Sequence, residues 1–285
     1  MEFRDRLSVL ITFITFAQRI WMFDKISTYI RYFKDYVKHG EYGFIWTAIG
    51  YQLFNRPVKR SAAYTSSLGK FHVRAGTIDF QFANYAYEWG VKQFFLDHYK
   101  DYTVFLDIGA NIGIYSILMA QKGLKCHAFE PMPENYKAML HNIRLNALEN
   151  YIRSHNIALG SEDCSAEFIY EKINTGASRL ATNSSDYKGP KNSHITLISK
   201  VCRLDAISRE LAISAREKVL IKIDAEGMEH MILIGAIDFL KSHRNLLLVM
   251  EKKYQSIARL DELLGLTGEY ECLPVDKYNI AYRKI

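Results

Sequence analysis

Thr103-Val-Phe-Leu-Asp107-Ile-Gly109-Ala-Asn111-Ile-Gly113-Ile-Tyr-Ser116 is the stretch on which the fold turns. Residues 103–108 form a nearly unbroken apolar run, as expected of a parallel strand buried on both faces. Two glycines and an asparagine follow, which allow a tight turn and a close approach of backbone to a ligand. Ile114, Ile117, Leu118 and Gln121 then mark a helix that Gly123 closes. The rhythm repeats outward. Strands are expected at 125–130, 152–159, 219–224 and 246–251, with Pro133 at the first position of the helix after the second of them. Strands alternating with helices indicate a doubly wound α/β sheet, whose strand C-termini line one ligand-binding edge.

The turn itself narrows the ligand. Asn111 stands where a dinucleotide fingerprint wants glycine. Asparagine tolerates the left-handed conformation, so the turn survives although the fingerprint does not. Asp107 would repel a pyrophosphate but suits an ammonium or other cation. Glu130 lies 23 residues further on, at the end of the next strand, where an acidic side chain accepts hydrogen bonds from ribose hydroxyls. Together they describe a ribose-bearing ligand with a positive centre and no phosphates. S-adenosylmethionine has that description.

A second cluster ends the strand at 219–224: Lys222-Ile-Asp224-Ala-Glu226-Gly-Met-Glu229-His230. A carboxylate or imidazole there could take a proton from a hydroxyl nucleophile. Asp224 and Glu226 could instead chelate a divalent cation. Glu229 and His230 already fall on the following helix. Glu251, at the tip of the next strand, belongs to the same edge.

Residues 103–251 resemble the FkbM family of S-adenosylmethionine-dependent methyltransferases. The blocks that carry the likeness are FLDIGANIGIYS, FEPMPENYKAMLHNIRLN and VLIKIDAEGMEHMILIGA, followed by LLLVMEK; CRLDAI at 202–207 fits the segment before the fourth core strand. The resemblance implies a Rossmann-like class I methyltransferase fold. Its seven-stranded sheet would have one antiparallel strand near the C-terminus, with 271–275 and 279–284 supplying the last two strands. It also implies O-methylation of a small molecule or a glycan sugar. Asp107, Gly109, Ala110, Asn111 and Gly113 would then line the methionine part of the cofactor. Glu130 would hold the ribose, and Ala158 would lie near the adenine. Asp224, Glu226 and His230 would face the acceptor, with the general base among them.

Outside these blocks the chain changes character. Residues 1–100 hold 14 Lys/Arg against 8 Asp/Glu, and 24 of the 38 aromatic residues; the remainder is electrically neutral. Residues 1–65, which have no counterpart in the family, read as a helical, basic, aromatic extension ahead of a methyltransferase domain over 66–285. The apolar run Leu7–Ala17 is too short to span a bilayer. Ile26, Ile30, Phe33 and Val37 fall on one helical face, which reads either as a helix packed on its own domain or as a peripheral membrane contact through residues 1–40. Lys70–Phe82 reads as a hairpin about Ala75-Gly76, and Tyr85–Tyr99 as a helix. Residues 160–218 break the α/β rhythm and read as an inserted hairpin over the ligand edge, with a polar stretch at Asn183–Ser193. The four cysteines are at least 38 residues apart, which excludes a CxxC metal site and makes a reducing cytoplasm the expected location. Other readings are an RNA or protein methyltransferase, and a catalytically silent scaffold that binds a membrane or partner. The basic front permits nucleic acid, but no Asn/Asp-Pro-Pro-aromatic motif of nitrogen-methylating enzymes occurs. The glycine pattern speaks against a nicotinamide dehydrogenase.

Overall fold

Side chains of the central strands alternate between two apolar layers. Phe105, Leu220, Leu247 and Val249 enter one; Leu106, Ile221, Leu248 and Met250 enter the other. This two-sided burial is what continuous apolar runs dictate, and it holds the strands inside a layer of helices on each face. The computed structural model describes residues 27–181, 194–253 and 256–285. The run Leu7–Ala17 and the polar stretch Asn183–Ser193 lie outside the described residues.

In chain order, helices span residues 27–38 (α1) and Tyr42–Phe54 (α2), followed by a hairpin of Ala62–Ser66 (β1) and Gly69–Val73 (β2). Helices Asp79–Phe82 (α3) and Trp89–His98 (α4) lead into Val104–Ile108 (β3), Ile114–Gln121 (α5), Lys125–Phe129 (β4), Pro133–Leu145 (α6) and Ile152–His155 (β5). The insertion holds Ala158–Leu159 (β6), Cys164–Glu171 (β7), Arg179–Leu180 (β8) and His194–Cys202 (β9). Leu204–Leu211 (α7), Val219–Ile223 (β10), Glu229–Ile234 (α8), Ile237–Ser242 (α9), Leu246–Glu251 (β11), Ile257–Gly265 (α10), Tyr270–Pro274 (β12) and Asn279–Lys284 (β13) complete the chain.

The main sheet has seven strands in the order β12-β13-β11-β10-β3-β4-β5. All neighbours are parallel except β13, which runs antiparallel to both β11 and β12. This is the class I methyltransferase arrangement. Its register places Lys222 between Asp107 on β3 and Val249 on β11. The insertion forms a separate four-stranded sheet in the order β6-β9-β7-β8. The expected strand 152–159 therefore splits. Its first half joins the main sheet and its second half joins the insertion. The break lies at Asn156, whose side-chain amide donates to the Glu130 carbonyl at 2.8 Å.

The hairpin differs from expectation. β2 pairs backward with β1, and the segment expected as its partner folds into the short helix α3. Charge pairing explains the change. The Arg74 guanidinium grips the Asp79 carboxylate, with Nε at 2.6 Å from Oδ2 and Nη2 at 2.9 Å from Oδ1, and Thr77 Oγ1 accepts the Asp79 N–H. That closure pulls Asp79 into a fully buried position instead of extending the chain. The free edge of β2 is met by α6, where Asn142 and Asn146 accept the N–H groups of His72 and Lys70. α4 begins at Trp89 rather than Tyr85, after Glu88 in a left-handed conformation. The expected boundary at residue 65 falls inside β1. Tyr36, Phe44, Val58 and Tyr64 share an apolar layer with Phe105 and Ile117.

Arg74 also donates to Asn135 Oδ1 on α6 and to Thr175 in the insertion. Removing one member of a buried ion pair leaves the other charge uncompensated. Arg74→Met is therefore expected to lower the unfolding free energy by about 3–5 kcal/mol. Urea denaturation of the full chain checks this.

Candidate active site

The turn after β3 is built from left-handed backbone: Gly109 at φ 85°, Asn111 at φ 50° and Gly113 at φ 87°. At Gly109 the reason is space as well as angle. A Cβ there would lie 1.9 Å from the Asp224 carbonyl oxygen. The amides of this turn are already engaged. Gly109 and Ala110 donate to the Phe129 carbonyl at 3.0 and 2.9 Å, and Asn111 donates to Glu130 Oε2 at 2.8 Å. A pyrophosphate would find these three N–H groups occupied, in keeping with the broken dinucleotide pattern.

Asp107 is buried beneath the turn. Its Oδ2 accepts the N–H and hydroxyl of Ser116 at 3.0 and 2.6 Å, and Oδ1 has no partner. Burial raises its pKa, opposed chiefly by the charge of Lys222. Glu130 is also buried. Its Oε1 accepts the Met132 N–H at 2.8 Å, and burial pushes its pKa up to about 7 against these hydrogen bonds.

Two adjoining cavities open at this edge. The first lies between the turn, Glu130, Ala158, Met228 and Ile232. The second is walled by Tyr87, Glu88, Tyr115, Lys222 and Glu251. Gly109, Asn111, Gly176, Asp224 and Glu226 border both. Gly176 comes from the insertion, whose loop thus walls the cleft. The segment 224–228 is fixed by the buried Glu229, whose Oε1 accepts the N–H groups of Ala225 and Gly227 at 3.1 and 3.3 Å.

Asp224, Glu226 and Glu251 each place a carboxylate oxygen within 4.8 Å of the others. Asp224 Oδ2 is paired with Lys222 Nζ at 2.7 Å. Lys222 also lies over the Tyr115 ring at 4.6 Å, and the Tyr115 hydroxyl donates to Glu88 at 2.6 Å. Lys92 approaches the same ring and donates to the Tyr87 carbonyl; burial drops its pKa to about 7. Glu251 is different. Its Oε2 is buried without a partner, and burial together with Asp224 and Glu226 pushes its pKa up to about 8.

Of the residues expected at the site, Gly109, Asn111, Glu130, Ala158, Asp224 and Glu226 border the first cavity, and Ala110 the second. Asp107 and Gly113 support the turn from behind. A Cβ on Gly113 would meet Met139 Cγ at 2.9 Å. His230 sits on α8 and borders neither cavity. Sequence reasoning missed Tyr115, Glu88 and Gly176. Lys222 carried a usable signal, since alternation along β10 puts it on the same side as Asp224.

The family described as methyltransferase FkbM domain matches residues 107–271. The chain belongs to this family. Residues 107–271 are thus a methyltransferase domain. No curated protein matches the chain. Among solved structures, the methyltransferase FkbM from Methylobacillus flagellatus KT is 20% identical, with a TM-score of 0.43 over 64% of this chain and 44% of that one. A SAM-dependent methyltransferase from Aquifex aeolicus is 10% identical, with a TM-score of 0.41 over 70% and 91%. The Pyrococcus abyssi tRNA (uracil-54, C5)-methyltransferase in complex with S-adenosyl-L-homocysteine is 10% identical, with a TM-score of 0.40 over 79% and 44%. At such scores these likenesses carry no argument beyond the family match.

The residues fit the cofactor. The turn has no free amide among its first three for a phosphate, and Ile157, Ala158, Leu159 and Met228 offer apolar walls for a purine. Glu130, expected to hold the ribose, borders the same cavity. Only its ionised form accepts from two hydroxyls, and that form is lost as the pH falls through about 7. S-adenosylhomocysteine is accordingly expected to bind more weakly below pH 7, by at most about tenfold per pH unit. In Glu130→Gln the binding should be weaker throughout and its pH slope flat. Calorimetric titration between pH 6 and 8 checks both.

Proposed function

We propose that this chain transfers a methyl group to a hydroxyl of a sugar, glycan or other small molecule. The observation that carries this reading is the second cavity. Three carboxylates, Asp224, Glu226 and Glu251, converge beside aromatic walls at Phe82, Tyr87 and Tyr115, next to the cavity that fits the cofactor. Aromatic faces suit the apolar faces of a sugar, and carboxylates suit its hydroxyls.

Bound S-adenosylmethionine supplies an activated methyl on a sulfonium. The chain's own residues do the rest. Asp224, held by Lys222, orients the acceptor by accepting a hydrogen bond. Glu251 takes the hydroxyl proton, since burial and the neighbouring carboxylates raise its pKa to about 8 and make it a stronger base than an ordinary carboxylate. The aromatic walls and the Gly176 loop exclude water and hold the acceptor in line. His230 has no direct part in this scheme. An RNA acceptor is less well matched, because four carboxylates, Glu88, Asp224, Glu226 and Glu251, outnumber the two lysines, Lys222 and Lys253, at the border of the second cavity.

The carboxylate spacing also supports a second reading, in which a divalent cation bridges Asp224, Glu226 and Glu251 and relieves their mutual repulsion. The acceptor hydroxyl would then be activated by the cation.

Incubation of the full chain with labelled cofactor and a panel of glycans and nucleotide sugars tests the assignment. Transfer is expected, with Glu251→Gln reduced about 10²–10⁴-fold and cofactor binding retained. Loss of all turnover on chelation, restored by a divalent cation, selects the second reading. No transfer across the panel despite bound cofactor counts against a small hydroxylated acceptor.

A further inference from the structure

Helix α2, Tyr-Gly-Phe-Ile-Trp-Thr-Ala-Ile-Gly-Tyr-Gln-Leu-Phe, carries no charged side chain over its 13 residues. Of these, only Phe44 is buried; it stacks on Tyr36 and Phe80, and Tyr51 packs edge-on against Phe80. The opposite side is a stripe. Tyr42, Trp46, Ile49 and Leu53 recur at i, i+4, i+7 and i+11, the spacing of one helical face. Tyr42 is 59% exposed, Trp46 75% and Leu53 67%, and Phe54 adjoins them at 66%. No described segment covers this face. Large apolar side chains grouped in this way mark a contact surface.

The charge next to the stripe identifies the partner. From Tyr42 to Ile78 the chain holds five basic residues, Arg56, Lys59, Arg60, Lys70 and Arg74, and no acidic one. Arg74 is committed to Asp79, but Arg56, Lys59 and Arg60 are exposed and follow the helix directly. The Arg56 guanidinium lies 5.5 Å from the Phe54 ring, which joins the cationic segment to the apolar one. Tryptophan and tyrosine beside aliphatic residues suit the layer between water and acyl chains, and arginine and lysine beside them suit lipid phosphates. A second copy on the same face would bring the two cationic segments together. No helix among the described residues is long and apolar enough to cross a membrane, and 13 residues fall well short of the 20 or so that a span needs.

We propose that α2 and residues 56–60 dock the protein on an anionic bilayer surface, with Trp46, Leu53 and Phe54 in the interfacial layer and Arg56, Lys59 and Arg60 on headgroup phosphates. The docking requires neither cofactor nor acceptor, so it stands apart from the proposed methyl transfer. It also differs from a contact through residues 1–40. The face adjoins the active site, because Gln81 borders the groove beside α2 while Phe82 borders the acceptor cavity.

Co-sedimentation of the full chain with vesicles tests the proposal. Binding is expected to vesicles of mixed phosphatidylcholine and phosphatidylglycerol, to fall with salt, and to be at least about tenfold weaker for phosphatidylcholine alone. Trp46→Ser with Leu53→Ser should abolish it. Arg56→Glu with Lys59→Glu and Arg60→Glu should weaken it at least about tenfold. Retained S-adenosylhomocysteine binding by both variants excludes misfolding as the cause. Quenching of Trp46 fluorescence by brominated lipid, absent in Trp46→Phe, would place the helix in the interface. No binding to anionic vesicles overturns the proposal, as does binding that both multiple variants retain. So does a dimer in sedimentation velocity that Trp46→Ser dissociates, since a second copy would then own the face.

Discussion

Backbone meets backbone where Gly109 lies against the carbonyl of Asp224, and the site depends on that contact. The distance a Cβ would have there, 1.9 Å, leaves room for hydrogen alone. The contact joins the tip of β3, which forms the cofactor turn, to the tip of β10, which presents the acceptor carboxylates. Parallel pairing sets the strands side by side, with Asp107 aligned to Lys222. The glycine then lets the two loops close over one another. Asn111 and Gly113 complete the turn in conformations that side chains with a branched Cβ would resist. The two cavities are thus brought together by sterics first, and by electrostatics second.

The electrostatics are arranged around buried cations. Lys222 is neutralised by Asp224 and lies over Tyr115, while burial leaves Lys92 close to losing its proton near neutrality. Positive charge inside the sheet edge lets several carboxylates share a small space. Glu251, furthest from direct pairing, keeps the raised pKa that a proton acceptor needs. A second buried network, Arg74 with Asp79, Asn135 and Thr175, ties the hairpin region to α6 and to the insertion. It holds the loop that carries Gly176 against the cleft.

The order of strands was legible because buried parallel strands write themselves as apolar runs, and β3, β4, β10 and β11 appear within one residue of expectation. The turn and Glu130 were legible for the same reason, since each lies where a strand ends. The hairpin was not. Local alternation allowed β2 to pair forward, and only the Arg74–Asp79 closure and the asparagines of α6, 70 or more residues away, decide that it pairs backward. Asp107 was legible as a residue but not in its posture, because strand periodicity does not tell a side chain facing a ligand from one bracing the next helix. Proximity in sequence suggests His230 for the acceptor, yet it lies on the short helix α8 and borders neither cavity. Tyr115 and Glu88 come together from separate segments, and no local pattern announces that pairing.

The insertion has one more property that follows from its pairing. β6 and β9 run side by side, with Ala158 opposite Val201 and Leu159 opposite Cys202, so the segment leaves and rejoins the core at nearly the same place. Everything between them can lengthen, shorten or change composition without disturbing the order of the main sheet. The wall that the insertion gives the two cavities can therefore change within the roughly forty residues between these strands, as long as Thr175 keeps its place beside Arg74 and Asp79.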